Sequence, residues 1–190
     1  MDAYDFDNTI YDGESSFDFF KFCFTKDLRL IIFFPELLYR LFQYKINRLN
    51  EKDIRNTANK IINLYVKRNN MDYNSIIKEF WNKHYKKIKK DFINRIDEND
   101  LIITGCPDFL LDYIREDLKT PNIICTVYNK QTMEIEFLCF GENKVKIFEE
   151  KYPTAKIENF YTDSFTDKPF MEKAKKVYFV KNNKVKLIKK

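Results

Sequence analysis

Asp5, Asp7 and Thr9 stand at alternating positions near the start of the chain, where a short apolar stretch ends. Side chains alternate between the two faces of an extended backbone, so these three share one face. Two carboxylates and a hydroxyl in this arrangement could supply a nucleophile, a proton carrier and a turn-fixing group around a phosphate and a cation. A calcium-binding EF-hand loop is excluded, because the required Gly and Glu positions hold Ile10 and Ser16.

A second candidate polar group, Thr104, lies in the segment 101–107. The apolar residues 101–103 before it predict a strand that ends near Thr104 and Gly105. Residues 108–118 have the apolar spacing of a helix, so the Thr104 hydroxyl would face the positive end of that helix, a natural anion site. Gly105 would allow close approach of the backbone to a ligand. Taken alone, the segment also fits an ordinary strand-to-helix turn with a buried threonine.

Lys144 and the acidic pair Asp163 and Asp167 follow in that order along the chain. A doubly wound sheet binds its ligands outside the carboxyl ends of its strands, so strands ending at Asp5, Thr104 and Asp163 would collect these groups in one crevice. Carboxylates that lie close together resist ionisation unless a cation is present. The pattern therefore favours a site for a phosphate together with Mg²⁺.

This order of motifs resembles that of the haloacid dehalogenase superfamily of phosphohydrolases, in which Asp-x-Asp-x-Thr is followed by Ser or Thr, then Lys, then paired acids. The resemblance covers essentially the whole chain. It implies that Asp5 is the nucleophile and Asp7 the general acid and base. It further implies that Thr104 and Lys144 hold the phosphoryl oxygens and that Thr9 supports the loop.

The same resemblance implies Mg²⁺ as the cofactor, held by Asp5, the Asp7 carbonyl and Asp163. Asp167 would lie around this site and orient a metal-bound water or Lys144. On the substrate side, Glu14 has the spacing from Asp5 at which phosphoserine phosphatases place a glutamate for the substrate amine. Such a pocket would need a cation such as Arg55 beside Glu14.

The implied activity is that of a Mg²⁺-dependent phosphomonoester hydrolase, acting through an aspartyl-phosphate on a small phosphorylated metabolite or a phospholipid head group. Residues 103–107, 141–144 and 161–164 look like the branch that contains a bacterial phosphatidylglycerophosphate phosphatase, while Glu14 favours phosphoserine. A sugar phosphate fits the same catalytic residues. A phosphotransferase and a non-catalytic phosphate-binding or membrane-surface adaptor are the alternatives.

A long helical stretch without further catalytic pattern separates Thr9 from Leu101. Helical periods are present in four segments: 16–25, 28–44, 51–68 and 75–90. We therefore expect an all-α cap, residues 15–92 (the insert below), placed after the first motif of a core formed by residues 1–14 and 93–190. The core is predicted to be α/β, with a Rossmann-like, doubly wound, mainly parallel sheet. Its short first strand is expected to be central.

Basic charge is concentrated in the insert, which has 17 Lys and Arg and 8 Asp and Glu, a net charge of 17 − 8 = +9. This charge could steer an anionic substrate or contact an acidic membrane surface, or it could simply solvate helix faces. The apolar segment 28–42 is too short to span a bilayer. It could lie at a membrane interface or fill the cap, and we favour the second. No motif predicts nucleic-acid binding.

The four cysteines have no metal-ligand spacing, which favours a reduced, cytoplasmic compartment. A catalytic residue as early as Asp5 also argues against a cleaved leader. Cys106 beside the phosphate site could be a nucleophile, and His84 could be a metal ligand. We interpret both as structural, His84 because lysines surround it on one polar helix face.

Overall fold

The computed structural model describes residues 1–46, 48, 50–69, 73–129, 131–132 and 134–189. Within these residues, one sheet has the strand order β4-β3-β2-β1-β5-β6-β7. The strands are β1 (Ala3–Tyr4), β2 (Leu101–Pro107), β3 (Ile123–Asn129), β4 (Glu134–Phe137), β5 (Ile157–Thr162), β6 (Ala174–Lys181) and β7 (Lys184–Lys189). The five inner strands pair in parallel, and β4 and β7 pair antiparallel at the edges. The predicted α/β fold with a mainly parallel sheet is confirmed.

The strand order reverses at β1, which lies between β2 and β5 although it has only two residues. Ala3 is paired with Leu101 on one side and with Phe160 on the other. Ligands of doubly wound sheets bind at such a reversal, beyond the carboxyl ends of the strands. The predicted central position of the short strand is confirmed, and Asp5 follows directly at the reversal point.

In the described residues between β1 and β2, the α-helices are α1 (Ser15–Lys26), α2 (Phe34–Lys45), α3 (Glu51–Asn69), α4 (Tyr73–His84) and α5 (Lys90–Ile93). The predicted helix over 28–44 is divided, because residues 28–33 form a 3₁₀ segment before α2. Pro35 explains the division, since it has no N–H to continue an α-helix from the preceding turn. Later in the chain, α6 (Asp108–Leu111) continues as a 3₁₀ segment to Leu118, and α7 (Glu142–Lys151) and α8 (Lys168–Lys173) follow.

The predicted helix over 75–90 ends early, at His84. The backbone beyond it is used for pairing with the loop after β1: Asp12 N–H donates to the Lys87 carbonyl at 2.8 Å, and Lys89 N–H donates to the Ile10 carbonyl at 2.8 Å. These two bonds fix the returning chain against the loop that it left. The two ends of the insert are therefore tied together beside the carboxyl end of β1.

Two apolar clusters pack on opposite faces of the sheet. The larger one is shared between the sheet and the insert and includes Phe6, Phe80 and Trp81, all of which are buried. The Trp81 indole N–H donates to the Leu110 carbonyl at 2.9 Å, so this large ring also satisfies its polar atom. Helices α1 and α4 thus share a hydrophobic core with the sheet.

The apolar segment 28–42 has one buried and one exposed face. Leu30 and Phe33 are buried, whereas Leu28, Ile31 and Ile32 are exposed by 63% or more of their surface. Our expectation that this segment fills the cap therefore applies to only one of its faces. Among the described helices, none has the length and apolar character needed to cross a membrane.

Asp18 of α1 is a buried carboxylate that joins the loop after β1 to both ends of the insert. It accepts from the Tyr11 hydroxyl at 2.9 Å and from the Lys87 ammonium at 2.7 Å, and it pairs with Lys21 at 2.7 Å. Burial alone would raise the pKa of Asp18, but the hydrogen bonds from Lys21, Lys87 and Tyr11 outweigh it and lower the pKa. Gly13 adjoins this cluster, and an added Cβ there would meet Asp18 Oδ2 at 3.1 Å.

We predict that Asp18→Ala lowers the free energy of unfolding by about 1–3 kcal/mol, because the buried Tyr11 hydroxyl loses its acceptor. The folded pKa of Asp18 lies below its ordinary value of 3.8, so the contribution is present above that pH and is lost as the pH falls further. Urea unfolding at neutral and acid pH measures both effects.

The control for this variant is Asp112→Ala, which removes a carboxylate from an exposed ion pair with Arg115. It should change stability by no more than about 0.5 kcal/mol. An equal loss in the two variants, or a loss for Asp18→Ala that does not shrink in acid, would contradict the assignment.

Candidate active site

Asp5 lies at the end of β1, where its backbone N–H donates to the Tyr161 carbonyl of β5 at 2.8 Å. Its carboxylate is buried and accepts from the Lys144 ammonium at 3.1 Å. Lys144 comes from the first turn of α7 and is itself 4% exposed. The strand end and the helix start therefore place a buried carboxylate and a buried cation in contact.

Asp167 completes this arrangement from the segment before α8. One carboxylate oxygen pairs with Lys144 at 2.7 Å, and the other accepts from the Thr162 hydroxyl at 2.8 Å. Burial would lower the pKa of Lys144, but Asp167 and Asp5 outweigh it and raise the pKa well above the ordinary value. Lys144 is therefore held protonated between two carboxylates.

The environment of Asp5 disfavours the charged form of its carboxylate. Burial raises its pKa; Lys144 opposes the rise, whereas Asp167, Asp163 and Asp7 add to it, and the pKa lies well above the ordinary value. An anion in this environment is stabilised by any further positive charge placed beside it. The site thus has a shortage of cationic charge around Asp5.

Asp7 lies two residues further on and accepts from the backbone N–H of Ser15 at 2.7 Å. Ser15 is the first residue of α1, so Asp7 receives one of the helix N–H groups that have no partner within the helix. Burial raises the pKa of Asp7 to about 6, and the Ser15 contacts oppose the rise. A carboxyl group with this pKa exchanges protons in both directions near neutral pH.

The turn after Asp7 brings Glu14 back to the site. Asn8 has a left-handed backbone (φ 55°), its N–H donates to the Gly13 carbonyl at 3.0 Å, and its side chain donates to Glu14 at 2.7 Å. Thr9 is fully buried within this turn, and its hydroxyl has no hydrogen-bond partner among the described residues. Thr9 thus lies inside the loop and does not line the cavity beside Asp5.

Thr104 is buried in the middle of β2, because the strand predicted to end near Thr104 continues to Pro107, and its hydroxyl accepts from the Cys106 N–H at 3.1 Å. The α-helix expected to present its positive end here, α6, has only four residues and starts at Asp108. The helix contribution to anion binding is therefore smaller than the sequence predicted. An added Cβ at Gly105 would lie 3.6 Å from the Cys139 carbonyl, an ordinary contact, so a steric need for glycine is not found there.

Asp163 follows β5, and its Oδ1 atom is buried without a hydrogen-bond partner in the described part of the chain. Burial raises the pKa of Asp163 to about 6, Asp167 and Asp7 raise it, and a hydrogen bond from Asn8 opposes the rise. Asp163 thus offers a buried carboxylate oxygen without a donor, and Asp5 offers a carboxylate with too little positive charge around it. Carboxylate oxygens of this kind suit Mg²⁺.

Within the described residues, no group of three or more His, Cys, Asp or Glu side chains is placed so that it could hold a metal ion. Mg²⁺ nevertheless needs only one or two protein carboxylates, because waters and substrate oxygens complete its shell. Asp5 and Asp163 fit this requirement. Asp167 already has both carboxylate oxygens engaged, which ties it to Lys144 instead.

One cavity of about 330 Å³ adjoins most of the predicted site residues. Its lining includes Asp5, Asp7, Glu14, Thr104, Gly105, Lys144 and Asp167. Thr9 and Asp163 are not among the lining residues. Arg55, the suggested partner of Glu14, is directed elsewhere: its guanidinium donates to the Ile135 carbonyl and to Glu51.

Two residues of the site were missed by sequence reasoning. Thr162 binds Asp167, and Ser15 supplies the N–H that binds Asp7. Ser15 precedes a helical apolar pattern, which is a recognisable helix-start signal. Cys106, interpreted as structural, is buried and accepts from the Ser15 hydroxyl at 3.1 Å, and burial raises the pKa of its thiol. His84 packs against Phe80 in the insert.

A family model of haloacid dehalogenase-like hydrolases matches residues 3–172. Among solved structures, a Bordetella pertussis Tohama I protein of unknown function matches 90% of this chain and 85% of its own, with a TM-score of 0.71 and 16% identity. A phosphoserine phosphohydrolase-like protein from Francisella tularensis subsp. tularensis SCHU S4 matches 93% and 86%, with a TM-score of 0.57 and 21% identity.

A phosphoserine phosphatase solved as a phospho-aspartyl intermediate analogue matches 92% of this chain and 83% of its own, with a TM-score of 0.54 and 17% identity. At these identities, the structural likenesses show a common fold. No curated protein matches the chain.

We predict strong coupling between Lys144 and Asp167 in a double-mutant cycle. Lys144→Met should cost about 3–5 kcal/mol of unfolding free energy, because two buried carboxylates lose their cation. Adding Asp167→Asn removes one of those carboxylates, so the double variant should be more stable than additivity predicts, by about 1–3 kcal/mol. Chemical denaturation of the four proteins in the presence of chelator measures the coupling.

The matched control is a cycle on Lys173 and Glu149, an ion pair in which both side chains are more than two-fifths exposed. Its coupling should be no more than about 0.5 kcal/mol. Additive losses at Lys144 and Asp167 would show that the buried pair does not act as a unit.

Proposed function

The chain belongs to the haloacid dehalogenase-like hydrolase family, and we propose that it hydrolyses phosphomonoesters through an aspartyl-phosphate on Asp5. The observation that carries this proposal is the buried contact of Asp5 with Lys144, which Asp167 holds in place. A buried carboxylate beside a fixed cation suits attack on an anionic phosphate, because the cation offsets the repulsion between the two anions.

In the first step, a carboxylate oxygen of Asp5 forms a bond to phosphorus while the bond from phosphorus to the ester oxygen breaks. Asp7 gives its proton to the departing alkoxide. In the second step, water attacks phosphorus, the bond to Asp5 breaks, and Asp7 takes a proton from the water. The pKa of about 6 supports both roles, because Asp7 exchanges protons readily near neutral pH.

Lys144 and Thr104 would bind the phosphoryl oxygens in both steps, since both side chains are buried and line the cavity beside Asp5. Asp167 would act as a positioning residue that keeps Lys144 protonated and aimed at Asp5. Thr162 in turn holds Asp167. We propose that Mg²⁺ is held by Asp5, Asp163 and the Asp7 carbonyl, where it supplies charge that offsets the phosphate and the carboxylates.

We propose that residues 15–92 act as a cap over a core of residues 1–14 and 93–190. Helices α1 to α5 lie between Asp7 and β2, and hydrogen bonds between residues 10–12 and 87–89 tie the two ends of this insert. Glu14 would then lie on the substrate side, at the border between cap and core. We propose a cytoplasmic location, which is favoured by four buried cysteines whose spacing is not that of metal ligands.

Asp5→Asn should abolish Mg²⁺-dependent phosphate release, because the amide cannot form the acyl phosphate. Asp7→Asn should slow turnover by about 10²–10⁴-fold, with a smaller effect on p-nitrophenyl phosphate, whose leaving group needs little protonation. Phosphate release from a panel including phosphoserine, phosphatidylglycerophosphate and a sugar phosphate, with Mg²⁺ or EDTA, measures these effects.

The matched control is Asp12→Asn, which changes an exposed carboxylate of the same loop and should leave turnover intact. Trapping the phosphorylated protein with an acid quench and mass spectrometry tests the intermediate. Wild-type turnover that persists in Asp5→Asn would overturn the mechanism, and phosphate passing to an added alcohol would favour a phosphotransferase.

We further propose that the insert contacts an anionic membrane surface. The exposed side chains Leu28, Ile31 and Ile32 form an apolar patch, and the insert has a net charge of +9. Apolar side chains enter the boundary between lipid headgroups and acyl chains, and basic residues are attracted to anionic lipid. The exposed apolar side chains and the basic charge of the insert together have these two properties.

Binding to vesicles of phosphatidylglycerol and phosphatidylcholine should weaken by about tenfold in the double variant Ile31→Asp and Ile32→Asp, because apolar burial is lost. Ile188→Asp, on the exposed strand β7, is the control and should bind as wild type. Sedimentation with vesicles measures binding, and its absence in the wild type would refute the contact.

A further inference from the structure

We infer that the natural substrate is an amphiphilic phosphomonoester, with one apolar chain or ring system as its leaving group. Its phosphate would lie at Asp5, and its apolar part would occupy the cavity between the sheet and the insert. This inference rests on the proposed phosphatase function and specifies its substrate class.

The cavity that begins at Asp5 and Lys144 continues into a mainly apolar interior. Its walls come from α1, from the segment 28–37, from α3 and from β4. They include Phe20, Leu30, Leu37, Ile54, Ala58 and Ile135. Burying an apolar group here removes it from water, whereas a polar group would lose its hydration and gain few partners.

Two charged side chains that line the cavity, Arg40 and Glu14, already have partners within the protein. Arg40 donates to the Gln43 side chain at 2.8 Å and to the Thr57 hydroxyl at 3.2 Å, and it pairs with Asp53 at 3.3 Å. Glu14 accepts from Asn8 at 2.7 Å. A substrate with its own amine and carboxylate would have to compete with these bonds.

The wall opposite the sheet is held in place by hydrogen bonds from α3 to the edge strand. The Ile135 N–H of β4 donates to the Asn59 side chain at 2.9 Å, and its carbonyl accepts from Arg55. Both backbone groups of Ile135 are thereby satisfied, which joins insert and core. The apolar cavity is thus preformed, and binding need not create it.

The volume of about 330 Å³ limits what can enter. It is near the lower end of the range of small-molecule sites, about 300–1,000 Å³. One chain or one ring system suits this space better than the two acyl chains of a diacyl phospholipid. The proposed ligand is therefore a single-chain or single-ring phosphomonoester.

The test is a series of n-alkyl phosphates from methyl to dodecyl, each used as a monomer with Mg²⁺. We expect kcat/KM to rise by about threefold to fourfold for each methylene until the cavity is filled. Phosphoserine and glycerol 3-phosphate should be turned over no faster than the shortest members. A flat series, or a preference for phosphoserine, would overturn the inference while leaving the phosphatase function intact.

Ala58→Phe tests whether the chain enters this cavity. The added ring should lower kcat/KM for the longest esters by at least about tenfold, because the lost space equals two methylenes or more at threefold to fourfold each. Turnover of methyl phosphate should stay within about twofold, since Ala58 is on α3 whereas Asp5, Asp7 and Lys144 come from the end of β1, the loop after it and α7. Asn56→Phe, at an exposed position of the same helix, is the matched control. Equal effects on short and long esters would refute the assignment.

Binding of the same series to Asp5→Asn by calorimetry separates the two proposals. Affinity that rises with chain length, without turnover of any ester by the wild type, would overturn the phosphatase function and keep the apolar ligand. Turnover without any dependence on chain length would do the reverse.

Discussion

The buried position of Lys144 between Asp5 and Asp167 is the constraint on which the rest of the structure depends. A cation and two carboxylates removed from water are tolerated only when they are paired and hydrogen-bonded. The pairing requires β1, α7 and the segment before α8 to meet at one point, which the strand order provides by reversing at β1. Thr162 adds the bond that satisfies the second oxygen of Asp167. The fold and the charge arrangement thus depend on each other.

The site has less positive charge than its carboxylates require. Lys144 offers one positive charge to a region that contains Asp5, Asp167, Asp163 and Asp7, and burial raises the pKa values of Asp5, Asp7 and Asp163. Phosphoryl transfer depends mainly on positioning and electrostatic stabilisation. A site with too little positive charge for its carboxylates is therefore suited to bind a cation together with an anionic phosphate.

Much of the core could be predicted because its determinants are local. An apolar strand followed by a polar residue predicts both a parallel strand and a group at its carboxyl end, which applies to Asp5 and Asp163. Lys144 lies in the first turn of α7, and only its order among the motifs indicated that it belongs to the same site. The errors came from long-range contacts. The helix before Lys90 ends at His84 because the backbone of residues 87–89 pairs with the loop after β1. Helical periodicity contains no information on that pairing.

The contacts made by side chains of the insert could not be predicted from the sequence either. Arg55 could have paired with Glu14 by charge, but α3 lies against the edge strand, and its guanidinium bonds to the Ile135 carbonyl. The unequal faces of segment 28–42 also depend on tertiary packing, because apolar residues occupy both faces. Composition alone could not assign Leu30 to the inside and Ile31 to the outside.

In the proposed mechanism, helix α1 would connect substrate recognition with proton transfer. Its first N–H binds Asp7, its Asp18 binds Tyr11 and Lys87, and its Phe20 lines the apolar cavity. A leaving group packed against this helix would therefore press on the element that orients the proton donor. Since an alkoxide departs only as it receives a proton, correct filling of the cavity and correct placement of Asp7 become one requirement. Apolar binding energy would then favour the step that expels the apolar group.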